Sequence, residues 1–225
     1  MIPRKKIDIK KQNVIKRCKK CSGNSCSICE AQASRIEKYA HANIPVEYWD
    51  KSFKEFSGDE NFRKAISLKI KDIDKVYEEG KSLMFIGTLG TGKSYSASCL
   101  LKRAVAAGYT GLYVTMADVV ASILSSQVDT SKYYKNLVGA DFLVIDEFSS
   151  HWIFPSEKSE QLFGSSLEFV LRTRFQNQLP TILCSNDSDV DDIFGGFFAK
   201  SFRSLRNHHV ELYVVGGKDY RRKDA

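Results

Sequence analysis

The rhythm of apolar and polar positions changes along the chain, and each rhythm predicts an element. The first twenty residues, MIPRKKIDIKKQNVIKRCKK, carry no sustained apolar pattern, and residues 31–41 predict a short helix. Between 61 and 79, Phe62, Ile66, Ile70, Ile73 and Val76 recur at intervals of three and four, the spacing of one helix face, and Gly80 is a natural stop. Pro45 ends any helix before it, because the residue preceding a proline is pushed out of the helical region. After Ser82 short apolar runs alternate with helical stretches. Residues 83–86, 111–115, 142–145, 181–184 and 210–215 predict strands, and 93–107, 117–125 and 164–176 predict helices. Strands that are apolar throughout are covered on both faces, so the prediction is an α/β fold, a parallel sheet with helices on both sides. The expected organisation is a basic, cysteine-rich segment over 1–40, a linker with a helix over 41–80, and the α/β domain over 81–225.

Composition adds limits. A hydrophobic content of 43% is enough for a sizeable core and excludes a disordered chain. No run of about 18 apolar residues is present, so no membrane span is expected. The basic N-terminus lacks the apolar stretch of a secretory signal, which predicts a cytoplasmic protein. Residues 1–20 hold nine Lys and Arg against one Asp, so the net charge of +7 resides there and the remainder is close to neutral. Such an arm is either a phosphate-contacting element for nucleic acid or a solvated tail.

The chemistry begins at Gly87, Thr88, Leu89, Gly90, Thr91, Gly92, Lys93 and Ser94, which fit G-x-x-x-x-G-K-[ST] between a strand and a helix. Glycines let successive backbone N–H groups turn toward phosphate oxygens, and the following helix adds the positive end of its dipole. Lys93 is expected at the β- and γ-phosphates of ATP and Ser94 at Mg²⁺, with Tyr95 beside them. The strand 142–145 runs into Asp146 and Glu147. There Asp146 is expected either to hold Mg²⁺, directly or through water, or to cap the next segment, and Glu147 either polarises the attacking water or is a surface acid. The strand 181–184 leads to Asn186, whose amide can bond a phosphate oxygen and a water together.

Four of the six cysteines, Cys18, Cys21, Cys26 and Cys29, lie within twelve residues. Two C-x-x-C knuckles joined by a turn-prone loop suit tetrahedral Zn²⁺. An iron–sulfur cluster and a metal-free redox pair are the alternatives, told apart by visible absorbance. Cys99 and Cys184 lie in apolar surroundings and read as small core residues.

The three nucleotide motifs in this order resemble the AAA+ ATPases, and among them the chain resembles the DnaC/DnaI-type helicase loaders and the IstB-like transposition ATPases. Further points of resemblance are Ile44-Pro45 followed by Tyr48, Trp49, Phe53 and Phe56, then Leu112 to Thr115 with Asp118. Arg174, Phe175, Pro180 to Asn186, and Asp219-Tyr220-Arg221 extend it, so that it covers residues 18–222. It implies that Arg203 is an arginine finger offered to a neighbouring subunit's γ-phosphate, with Arg174 and Arg206 as competitors. It implies that Arg221 senses nucleotide in its own subunit. A surface ion pair is the plain alternative for both.

The resemblance implies an ATP-dependent loader that delivers a replicative DNA helicase onto single-stranded DNA as an ATP-dependent homo-oligomer, encoded by a bacterium, a phage or a mobile element. The competing readings are an IstB-like partner of a transposase, a small-molecule P-loop kinase, and a non-catalytic zinc-bearing DNA adaptor. The aromatic segment from His151 to Phe154 reads as core, with a DNA- or partner-facing loop as the alternative.

Overall fold

The computed structural model of the chain describes residues 2–124, 130–149, 157–187, 196–217 and 219–220. The apolar runs after Gly80 form five strands of five residues each: β1 (Ser82–Ile86), β2 (Gly111–Thr115), β3 (Phe142–Asp146), β4 (Thr181–Ser185) and β5 (Val210–Val214). All pair in parallel, in the order β2-β3-β4-β1-β5. The three central strands, β3, β4 and β1, are buried at every position. That is why they read as continuous rather than alternating apolar runs.

Alternation along each strand divides the interior in two. Leu83, Phe85, Phe142, Val144, Ile182 and Cys184 face one side, under α2 (Ser27–His41), α3 (Glu60–Lys71), α4 (Ile73–Glu79) and α5 (Lys93–Ala107). Met84, Ile86, Leu143, Ile145 and Leu183 face the other, under α6 (Met116–Leu124), α7 (Thr130–Gly139), α8 (Glu157–Gln176) and α9 (Gly196–His209). Cys99 and Cys184 are buried small residues, as their surroundings predicted. No helix among the described residues is long and apolar enough to cross a membrane.

Several elements differ from the sequence expectation. The basic arm is a helix, α1 (Arg4–Lys16), packed along α2. Ile7 alone of its residues is buried, so its periodicity is too weak to read. Tertiary contacts hold it: Lys11 meets Glu37 at 2.7 Å, Arg4 meets the same carboxylate at 3.4 Å, and Lys10 pairs with Asp50. The helix expected over 61–79 is two, because Asp72 leaves the helical region at φ −115°, ψ 61°. Both halves bury one face (Phe62, Ile66, Ile73, Val76), so the periodicity runs through the break. Asp59 caps the first half by accepting the Phe62 N–H at 2.9 Å. Helices α7 and α9 have no counterpart in the prediction, and α8 begins seven residues before Gly164, which lies inside it.

Arg174 near the end of α8 joins the second layer to the sheet. Its side chain is fully buried and bonds the carbonyls of Leu137 (2.8 Å), Ala140 (2.7 Å) and Pro180 (2.9 Å) and the Thr181 hydroxyl (2.8 Å). It thereby takes up the last carbonyls of α7 and the entries to β3 and β4, a structural task that removes it as a competitor for the finger. Burial lowers its pKa and the charge of Asp141 opposes that. Arg174→Leu leaves those acceptors unpaired and is expected to cost about 3 kcal/mol or more. The neighbouring exposed Arg172→Ala, which loses a pair with Glu168, costs under about 0.5 kcal/mol. Urea denaturation of the two variants checks this, and equal midpoints would refute the role of Arg174.

Candidate functional site

β1 ends at Ile86, and the chain turns through Gly87, Gly90 and Gly92, all at positive φ (147°, 77° and 93°), before α5 begins at Lys93. The glycines are required by contact as well as by φ. A Cβ on Gly90 would lie 1.8 Å from Asp219 Oδ1, and one on Gly92 would lie 2.5 Å from the ring of Phe56. The Lys93 ammonium lies inside the loop, bonded to the carbonyls of Gly87 (2.7 Å) and Thr88 (2.6 Å). The loop is thus wrapped around one cation at a helix N-terminus, an arrangement suited to phosphate.

The acidic pair stands at the C-terminal end of β3. Asp146 is buried and lines the cleft. Its Oδ1 accepts the Glu147 N–H at 2.9 Å, and its Oδ2 accepts the hydroxyl of Tyr113 on β2. Burial, then the Asp146 charge, push the Tyr113 hydroxyl pKa upward, so it remains a donor. Glu147 has φ +53°, uncommon for a residue with a side chain, and its carboxyl is exposed. Partial burial, then the charges of Asp146 and Asp118, raise its pKa above the usual carboxylate value. Asn186 follows β4, and β4 lies between β1 and β3, so the amide falls between the glycine loop and the acids.

Gly90, Thr91, Gly92, Lys93, Ser94, Tyr95, Asp146, Glu147 and Asn186 line one cleft of about 410 Å³, a size suited to a cofactor. Thr88 faces an adjoining hollow with Asn186 and Asp219. A further part of the wall comes from residues that sequence reasoning did not assign to the site: Tyr48, Lys51, Glu55, Phe56, Gly58 and Tyr220. Tyr48 meets Tyr95 edge to face at 6.2 Å, which gives this wall aromatic surface for a flat base. The wall is held by Lys102 on α5, a buried lysine that donates to the carbonyls of Tyr48 (2.7 Å), Trp49 (3.2 Å) and Lys51. A lysine among apolar helix residues was the available signal, but its partners lie about fifty residues away. Tyr220 donates its N–H to the Gly90 carbonyl at 3.2 Å, which brings the chain's end back over the loop. Arg203 is exposed on α9 and does not line the cleft of its own chain. Arg221 and the segment from His151 to Phe154 lie outside the described residues.

The cysteine cluster is assembled where α1 gives way to α2. The four sulfurs of Cys18, Cys21, Cys26 and Cys29 all lie within 4.8 Å of one another, with Cys18–Cys26, Cys21–Cys29 and Cys26–Cys29 each at 3.8 Å. Four thiolates at about 2.3 Å from one ion form a tetrahedron with edges of about 3.8 Å, so the set fits a single metal ion. An iron–sulfur cluster binds its cysteines to different irons and spreads them wider, which this spacing does not fit. All four cysteines are free, and Cys29 Sγ accepts the Cys26 N–H at 3.1 Å at the start of α2. The backbone N–H groups of Cys29 and Ile28 at that helix start pull the Cys26 thiol pKa down to about 7.

No family model matches the chain. An IS21-like insertion-sequence ATP-binding protein of Bacteroides fragilis is 30% identical over 107 residues, 47% of this chain and 38% of the relative's own length. The crystal structure of DnaI superposes with a TM-score of 0.63 at 19% identity, over 79% of this chain and 94% of that one. The structure of the DnaC helicase loader gives 0.57 at 19% identity, over 76% of this chain and 100% of that one. The chain shares its fold with DnaI and the DnaC helicase loader, and in sequence it is similar to IS21-like ATP-binding proteins.

Lys102→Met keeps the side-chain length and removes the donors that hold the Tyr48 wall. It is expected to raise the Kd for a fluorescent ATP analogue about tenfold, the equivalent of one unsatisfied carbonyl contact. Unchanged affinity would remove Lys102 from the site.

Proposed function

We propose that the chain hydrolyses ATP and uses the cycle to deliver a ring-shaped replicative helicase onto single-stranded DNA. The observation that carries the proposal is the convergence of Lys93, Ser94, Asp146, Glu147 and Asn186 on one cleft. The likeness to the DnaC helicase loader over that protein's whole solved length supports the choice of partner. In this reading Lys93 and the loop N–H groups hold the β- and γ-phosphates. Ser94 and Asp146 hold Mg²⁺, which when bound neutralises phosphate charge. Glu147 takes the proton of the water that adds to the γ-phosphorus as ADP leaves, and Asn186 orients that water. Arg203 reaches the γ-phosphate of a neighbouring copy, so the active form is a homo-oligomer, and Arg221 senses nucleotide in its own chain. The protein works in the cytoplasm, of a bacterium or of a cell carrying a phage or mobile element.

The α1–α2 hairpin holds structural Zn²⁺. Lys5, Lys6, Lys16, Arg17, Lys19 and Lys20 are exposed there, a surface suited to phosphates or an acidic partner. A second reading, an IstB-like partner of a transposase, is favoured by the sequence similarity to the IS21-like protein. The two share the ATPase chemistry and differ in what the N-terminal region binds.

Glu147→Gln is expected to lower ATP turnover by about 10²–10⁴. Because the Glu147 pKa is raised, the base is lost as pH falls through that value, so the acid limb of the wild-type profile begins above the ordinary carboxylate range. Arg203→Ala is expected to be inactive alone and to regain turnover when mixed with Lys93→Ala. Wild-type turnover in Glu147→Gln would end the hydrolysis reading, and wild-type turnover in Arg203→Ala would end the finger. A pull-down against ring helicase and transposase then chooses the partner.

Removing metal with a strong chelator is expected to loosen the cysteine-bearing turn between α1 and α2 and to release about one zinc per chain by elemental analysis. Visible absorbance of the purified protein, or absence of zinc, would overturn the assignment.

A further inference from the structure

We propose that Tyr113 is a positioning residue for the Asp146 carboxylate, setting how tightly the site holds Mg²⁺. The inference rests on the reading of Asp146 as a Mg²⁺ ligand. Tyr113 stands on β2, in register with Val144 of β3, two residues before Thr115, which is in register with Asp146. Its ring is buried in the first core layer and its hydroxyl donates to Asp146 Oδ2. The Glu147 N–H occupies the other oxygen. Donors on both oxygens fix the plane of the carboxylate, while a further lone pair on each oxygen stays available. A carboxylate held in this way loses less freedom when it binds a cation, the usual effect of an outer partner on a metal ligand.

The tyrosine is itself held from outside the sheet. β2 is an edge strand, and at Tyr113 that edge is closed by the segment following α2. The Tyr113 N–H donates to the Ala42 carbonyl at 2.8 Å, and the Tyr113 carbonyl accepts from Asn43 Nδ2 at 3.0 Å. Asn43 adopts φ +54° to make that bond. The ring that orients Asp146 is therefore anchored on the chain that leads back to the cysteine cluster.

Tyr113→Phe removes one oxygen and leaves the ring. The experiment measures binding of a fluorescent ATP analogue in EDTA and across a Mg²⁺ titration, with turnover followed over the same titration, in wild type, Tyr113→Phe and Asp146→Asn. The expected result for Tyr113→Phe is unchanged affinity in EDTA and a Mg²⁺ midpoint raised about tenfold or more in both readouts, the scale of losing an outer partner. A wild-type midpoint in Tyr113→Phe, with the midpoint of Asp146→Asn shifted, overturns the inference and leaves the nucleotide reading standing. Loss of affinity in EDTA as well means that the hydroxyl only supports the fold, and overturns it too. An unshifted midpoint in Asp146→Asn removes the premise.

Discussion

Helix α5 is buried along most of its length, yet it carries two lysines whose ammonium groups must find hydrogen bonds inside the protein. Lys93 is 5% exposed and Lys102 is 8% exposed. An unpaired buried ammonium is too costly to persist, so backbone carbonyls have to be brought to both. For Lys93 these are Gly87 and Thr88, which bend the loop around the cation. For Lys102 they are Tyr48, Trp49 and Lys51, which pull the wall of the cleft down onto the helix. The two lysines are nine positions apart, about 13 Å along the axis. The glycine loop and the aromatic wall of the cleft are thus spaced by one rigid rod, and burial of that rod against β2, β3 and β4 fixes both.

Strand order supplies the rest of the site. Placing β4 between β1 and β3 separates the glycine loop from the acidic pair by one strand width, about 4.8 Å on each side. Asn186 is carried into that gap. The order is stable only if the entries to β3 and β4 are sealed at the opposite end of the sheet, where Arg174 gathers carbonyls from α7, from the turn before β3 and from Pro180. A cation buried at the floor and an anion buried at the rim, Asp146, bracket the central strands. Each is satisfied almost wholly by its immediate neighbours.

What could be read in the sequence was what depends on neighbours in the chain. The glycine loop, Lys93, the Asp146–Glu147 pair and the five strands are runs of adjacent residues with a spacing or a burial pattern of their own. The cysteine pairs were legible for the same reason. The aromatic wall of the cleft was not, because Tyr48 and Phe56 acquire their role only when Lys102 and Tyr95 draw residues 48–56 onto α5. Tyr113 reads as one more strand aromatic until β2 is set beside β3. Helix α1 has one buried residue and many charges, so its pattern is that of a solvated tail. Its order comes from Glu37 and Asp50, which no local rule connects to it.

The path from the cysteine cluster to the cleft has no slack in it. Cys29 lies in the first turn of α2, and the helix runs to His41 without a glycine or proline. Ala42 and Asn43 then close the β2 edge at Tyr113, and Ile44 accepts the Trp49 indole N–H at 2.8 Å. Tyr48 and Lys51, in the same short stretch, line the cleft and are pinned by Lys102. No glycine lies between Gly23 and Gly58, so a displacement of the wall cannot be absorbed by a permissive hinge along this stretch. Helix α1 is bound to α2 through Glu37 and by its packing, so the hairpin is joined directly to the segment that touches both the aromatic wall of the cleft and the ring behind Asp146.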